Sequence, residues 1–150
     1  MATQRDFSYL LALARRLFSP ARMRVLIVDP DLASAHEMAA ALPKHYAAIF
    51  VGSGAEAYAA IQADPPTLIA TEIHLPDSSG IDLLARVRAA PATRHICLVA
   101  LGARMSIPEK IAVFQAGADD CLVKPVEPVR FVNHVERLAR FHQVLESPAS

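Results

Sequence analysis

The sequence predicts an α/β protein built on a doubly wound, five-stranded parallel sheet. Two observations carry the prediction. From Met23 onward, five short apolar runs alternate with five stretches of helical pattern. Such alternation means βαβ units with right-handed crossovers. The runs are also nearly continuous in apolar residues, as expected of strands covered on both faces. The scale agrees: a chain of 150 residues, 53% hydrophobic, buries roughly 68–70% of its unfolded surface and supports one core.

The elements follow in order. Met23–Val28 reads as a buried strand and Leu32–Leu42 as an Ala-rich helix. Tyr46–Val51 is the second strand, and the turn Gly52-Ser53-Gly54 opens a helix over Ala55–Ala63. Thr67–Thr71 is the third strand. Ile81–Ala90 is a helix with Leu84 and Val87 three apart and Arg86 and Arg88 turned away. Ile96–Leu101 is the fourth strand, Pro108–Ala116 a helix stopped by Gly117, and Cys121–Val123 a short fifth strand. The last helix runs from Glu127 to about Val144, with Phe131, Val132, Val135, Leu138, Ala139 and His142 as its stripe. Val129, Phe141 and Val144 are apolar surface left over.

Residues 1–20 stand outside the alternation. Phe7, Leu10, Leu11, Ala14, Leu17 and Phe18 share one helical face, with Asp6, Arg15 and Arg16 off it, and Ser19-Pro20 ends the pattern. The expected organisation is a helical extension over 1–20, one domain over 22–145 and a loose tail over 146–150. An amphipathic helix of this length is marginal alone. It is expected to join two chains in a symmetric dimer, or else to dock on its own domain, the further alternative being a partly disordered tether.

Composition narrows the function. Fifteen basic and fifteen acidic residues cancel, which argues against non-specific nucleic-acid or anionic-membrane binding. No apolar run approaches the roughly 20 residues of a bilayer span, and no cleavage site follows Tyr9–Ala14. Cys97 and Cys121 sit in apolar runs and read as buried, reduced thiols of a cytoplasmic protein. The six histidines, His36, His45, His74, His95, His134 and His142, show no HxxH spacing for a metal. Gly52-x-Gly54 lacks the third glycine of a nucleotide fingerprint, and Asp119-Asp120 read as turn residues.

In doubly wound sheets, sites form beyond the carboxyl ends of the strands. Here those ends carry Asp29-Pro30-Asp31, Glu72, Gly102-Ala103 and Lys124-Pro125, so acidic groups and one ammonium converge on one edge. Together with SerGlyAlaGluAlaTyr (Ser53–Tyr58), HisLeuProAspSerSerGly (His74–Gly80), ValAlaLeuGlyAla (Val99–Ala103) and GlyAlaAspAspCysLeuValLysProVal (Gly117–Val126), this pattern resembles the receiver domain of two-component response regulators over Met23 to about Leu145. The resemblance implies a flavodoxin-like fold with strand order 2-1-3-4-5. It also implies an aspartate phosphorylated with the help of magnesium.

Carried over by that resemblance, the site is altered. Asp29 matches the first acid of the metal pair, Pro30 replaces the second, and Asp31 lies one residue further on. Glu72 stands at the phosphoacceptor position, Gly102 where a hydroxyl belongs, and Cys121 where an aromatic switch belongs. Lys124 and Pro125 match, and the resemblance implies a cis peptide between them. The expectation is therefore a degenerate receiver, not an enzyme, with no cofactor. Magnesium would bind weakly if at all, through Asp29, Glu72 and the His74 backbone. The chain would act by contact with a signalling kinase or output protein. Two alternatives are a receiver still phosphorylated on Glu72 or Asp77, with Asp29 and Asp31 holding magnesium, and a small-molecule or anion sensor using the vacated pocket.

Overall fold

The computed structural model describes residues 23–146, with side chains through Phe141. The extension expected over 1–20 and residues 147–150 of the expected tail lie outside the described residues. The strands are β1 (Met23–Val28), β2 (Tyr46–Val51), β3 (Leu68–Glu72), β4 (Cys97–Gly102) and β5 (Asp120–Val123). The helices are α1 (Leu32–Ala41), α2 (Gly54–Ala63), α3 (Gly80–Ala89), α4 (Ile107–Gln115) and α5 (Pro128–Glu146). All pairings are parallel, in the order β2-β1-β3-β4-β5, as the sequence led us to expect.

The continuous apolar runs are explained by burial on both faces. Every residue of β3 and β4 is buried. Successive side chains enter opposite layers. Ile27, Ala70, Val99 and Leu122 meet Ala35 and Met38 of α1 and Phe131 and Val135 of α5. Leu26, Ile69, Leu98 and Ala100 meet Ala57 of α2, Leu83, Leu84 and Val87 of α3, and Val113 of α4.

Helix starts are set by caps. Asp31, Ser53, Ser79 and Ser106 each accept a first-turn N–H of the helix that follows. Three helices thus begin one residue earlier than their apolar pattern suggested, directly after a serine. At the other end α5 runs to Glu146, so that residue is helix rather than tail.

Ser106 and Glu109 form a reciprocal capping box, Pro108 opens α4, and Gly117 follows it at φ +110°, a backbone region suited to glycine. Yet α4 buries only Val113 fully. Ile107, Ile111 and Phe114, at i, i+4 and i+7, face outward.

The turn after α4 is clamped by Arg88 of α3. Its guanidinium donates to Gly117 O at 2.7 and 3.1 Å, to Ile96 O at 2.9 Å and to Arg94 O. The carboxylate of Asp119 accepts from Arg88 at 3.0 Å and from Leu98 N at 2.8 Å. Asp120 accepts from Arg137 at 2.7 Å and pairs with His134 Nδ1. The two aspartates therefore tie four elements together, beyond the turn role their sequence position suggested. Cys97 is buried, but Cys121 is only partly so, which corrects the expectation for that thiol. Among the described residues, no helix is long and apolar enough to cross a membrane.

Candidate functional site

The site grows from three strand ends on one edge of the sheet. Asp29 follows β1, its N–H donating to Val51 O at 2.9 Å. Glu72 ends β3, opposite Leu101 of β4. Lys124 follows β5, its N–H donating to Gly102 O at 2.8 Å, and its bond to Pro125 is cis. Gly80 lets α3 start close under β3: a Cβ there would lie 2.0 Å from Glu72 O.

These elements bring Asp29, Glu72 and Lys124 together. Lys124 Nζ lies 2.6 Å from Asp29 Oδ2 and 2.9 Å from Glu72 Oε2. Asp29 is 0% and Glu72 7% exposed. Both oxygens are buried and receive no well-aligned hydrogen bond; the ammonium is the positive charge they face. Burial is the largest single influence on Lys124 and lowers its pKa. Contact with Asp29 and Glu72 outweighs it and holds the ammonium above the ordinary lysine value. Two carboxylates against one ammonium leave one net negative charge, which disfavours an anionic ligand.

Other expected residues lie elsewhere. Asp31 is exposed and caps α1 by accepting from Ser34 N at 3.2 Å. Its own N–H donates to Asp29 Oδ1 at 3.0 Å. Its carboxylate is thus turned to a helix, not into the acidic pocket. Pro30 is exposed and brings no side-chain donor atom. Asp77 accepts from Gly54 N at 2.8 Å and Ala55 N at 3.0 Å. Those bonds hold its carboxyl below the ordinary aspartate value and engage it at the start of α2. His74 pairs with Glu109 of α4 at 3.2 Å.

Against Gly102 and Cys121 lies Met105, a residue that the sequence reading missed. Met105 crowds Gly102, where a Cβ would lie 2.9 Å from Met105 Cε and 3.1 Å from its Cγ. Its Sδ accepts from the Cys121 thiol at 3.2 Å. Burial pushes that thiol's pKa up; Asp120 adds to the rise and Lys110 opposes it. A methionine in a loop has no periodicity to betray it, and its flexible thioether suits irregular gaps.

A divalent cation does not fit these donors. Magnesium takes one or two carboxylates in near-octahedral geometry. Here the two buried carboxylates already hold an ammonium, Pro30 offers no side-chain oxygen, and Asp31 is committed to α1. Among the described residues, no cluster of three or more His, Cys, Asp or Glu is placed to hold a metal.

The family model of the response regulator receiver domain matches residues 25–136. The chain is 29% identical over 124 residues to response regulator PleD of Caulobacter vibrioides, covering 82% of this chain and 27% of that protein. It is 34% identical over 119 residues to transcriptional regulatory protein PrrA of Mycobacterium tuberculosis, covering 78% and 50%. It thus spans half or less of these two relatives. A crystallised protein of Chloroflexus aurantiacus J-10-fl assigned to the response regulators is 34% identical, with TM-score 0.73 over 79% of this chain and 98% of that one. A CheY-like receiver domain protein of Methanospirillum hungatei JF-1, 23% identical, shares the fold at TM-score 0.76 over 82% and 98%.

Proposed function

The chain belongs to the response regulator receiver domain family, and from that premise we propose that it is a receiver that signals without being phosphorylated. It works in two-component signalling by contact with a kinase or output protein in the cytoplasm, not by catalytic turnover. The observation that carries this reading is the Lys124 ammonium seated on Asp29 and Glu72 at 2.6 and 2.9 Å. Glu72 is one methylene longer than aspartate, which moves its oxygens by roughly 1.5 Å; a misplacement of about 1 Å can cost about a hundredfold in rate. Glu72 neutralises Lys124 rather than imitating a phosphorylated aspartate. Gly102 has no hydroxyl to register such a charge, and Cys121, against which Met105 lies, has no ring to move.

The test is incubation of the full chain with acetyl phosphate and magnesium, followed by intact mass, beside a beryllofluoride titration read by amide NMR. The expected result is an unchanged mass and unchanged spectra. A phosphorylated species on Glu72 or Asp77, or saturable binding at submillimolar magnesium, overturns the proposal. Pro30→Asp with Glu72→Asp should regain part of the magnesium affinity, and either change alone less.

A further inference from the structure

Among the described residues the sheet ends on β2 and β5, and the two edges differ. β5 has four residues, opens on Asp120 and runs into Lys124 and Pro125. Short length, charge and proline are devices that guard an edge. β2 has six residues, Tyr46–Val51, with no charged residue, proline or glycine among them. Ile49 is 49% and Phe50 37% exposed. Leu32 is exposed too, and its side chain comes within 3.5 Å of a Cβ placed on Gly52, the residue after the strand.

The backbone of β2 sets what this edge accepts. Val51 O receives the Asp29 N–H from the β1 side. Val51, and by alternation Ile49 and Ala47, therefore turn their N–H and C=O groups toward β1, and the even-numbered residues turn theirs outward. At the ends these outward groups are engaged: Tyr46 N–H donates to Pro43 O at 3.0 Å and Gly52 N–H to Glu56 Oε1 at 3.3 Å. Between them, the N–H and C=O groups of Ala48 and Phe50 meet no partner among the described residues. A row of this kind is met by an extended chain. Side chains alternate as well. Tyr46 and Ala48 join the α1/α5 layer and Val51 the α2 layer. Ile49 thus stands on the α2 side, and Phe50, edge-on to His36 of α1 at 5.7 Å, on the other.

We propose that the β2 edge pairs with itself: two copies of the chain join antiparallel through Tyr46–Val51, about a twofold axis at Ile49. In that register Ala48 of each copy faces Phe50 of the other as a hydrogen-bonded pair, so every open group of both edges is met. Ile49 faces its own counterpart in the non-hydrogen-bonded pair between them, with Cα atoms about 4.5 Å apart. Three features select a second copy as the occupant. The open groups are placed symmetrically about Ile49. A strand without charge sets no like charges opposite each other when it meets itself. The antiparallel direction also brings the exposed Lys44, before β2, alongside residues 52–56 of the other copy, which carry the exposed Glu56. Each chain has one such edge, so the pairing closes on a dimer. It uses neither α4, β5 nor the Asp29–Glu72–Lys124 cluster and stands whether or not the chain is phosphorylated.

The test is sedimentation equilibrium on the full chain over a concentration series, with circular dichroism to show that each variant is folded. The wild type should approach a two-chain mass. Ile49→Lys sets two ammonium groups on the axis and should weaken association at least about tenfold. Ile111→Lys, on the exposed face of α4, should leave association unchanged. In a Cys121→Ser background, Ile49→Cys should cross-link two chains under mild oxidation, because Cα atoms about 4.5 Å apart suit a disulfide. A one-chain mass at every concentration, or no cross-link from Ile49→Cys, overturns the proposal. So does a two-chain mass that Ile49→Lys leaves unchanged, because another surface then holds the copies together.

Discussion

Lys124→Met isolates what the buried ion cluster contributes, because methionine keeps most of the apolar stem and removes the charge. At an effective dielectric of about 20, unit charges at the observed 2.6 and 2.9 Å attract by about 6 kcal/mol each. Desolvating three charged groups offsets most of that. Deleting one partner of a buried pair costs about 3–5 kcal/mol, because the other charge is left uncompensated. Lys124 keeps 18% side-chain exposure, which places the expected loss near the lower end, about 3–4 kcal/mol, or a melting temperature lower by roughly 10 °C. Urea unfolding followed by circular dichroism reads it. Adding Glu72→Gln to Lys124→Met should recover at least half of the loss, since one of the two orphaned charges is then gone. Because the folded pKa of Lys124 is raised, its contribution is complete below the ordinary lysine value of about 10.4 and disappears as pH rises through the folded value. Wild type and variant should therefore converge only in strongly alkaline solution. A loss under about 1 kcal/mol, or no recovery in the double variant, would refute the reasoning.

Arg88→Ala strips donors from Gly117 O and Ile96 O and leaves Asp119 with Leu98 N as its remaining donor in this cluster. It should cost about 2–3 kcal/mol in the same unfolding assay, and Arg88→Lys should restore only a minor part, having no fork. Gly102→Ser sets a Cβ 2.9 Å from Met105 Cε, the end of a flexible side chain that can turn aside, and should lose no more than about 1 kcal/mol; the further change Met105→Ala should relieve that crowding, seen as a smaller loss than the two single changes sum to. Asp77 has a depressed pKa from the N–H groups of Gly54 and Ala55. Its contribution is present above the ordinary aspartate value of about 3.9 and is lost as pH falls through the folded value. Asp77→Asn should therefore be less stable than wild type near neutrality, and the two should converge in acid unfolding titrations.

The layer pattern was legible because burial on both faces writes itself into residue type: β1 and β2 have the bounds their apolar runs suggest. Boundaries shifted where a single atom contact decides them. Glu72 joins β3 because its backbone stays in register with Leu101, and a charged residue is not read as strand. In the site, acidic groups and an ammonium were expected on one edge, but not that Lys124 lies closer to Asp29 than to Glu72. Which carboxylate an ammonium prefers depends on ångström-scale placement that residue identity does not encode. Asp31 shows the same limit. Its sequence position suits both a metal pair and a helix cap, and the cap prevails because the first-turn N–H groups of α1 require an acceptor. The links from Asp120 to His134 and Arg137 and the reach of Met105 depend on how distant segments approach, for which no local pattern exists.

The local order of α4 has a consequence for motion. A helix that fully buries one side chain, Val113, while Ile107, Ile111 and Phe114 stay in solvent draws little cohesion from the interior. Its capping box, its leading proline and Gly117 hold it from the ends instead. Such an element opens as a separate cooperative unit, at a free energy well below that of global unfolding. The amides of α4 should then exchange before those of the wholly buried β3 and β4. Melting and re-forming of α4 while the sheet stays intact is the behaviour that this exchange order would report.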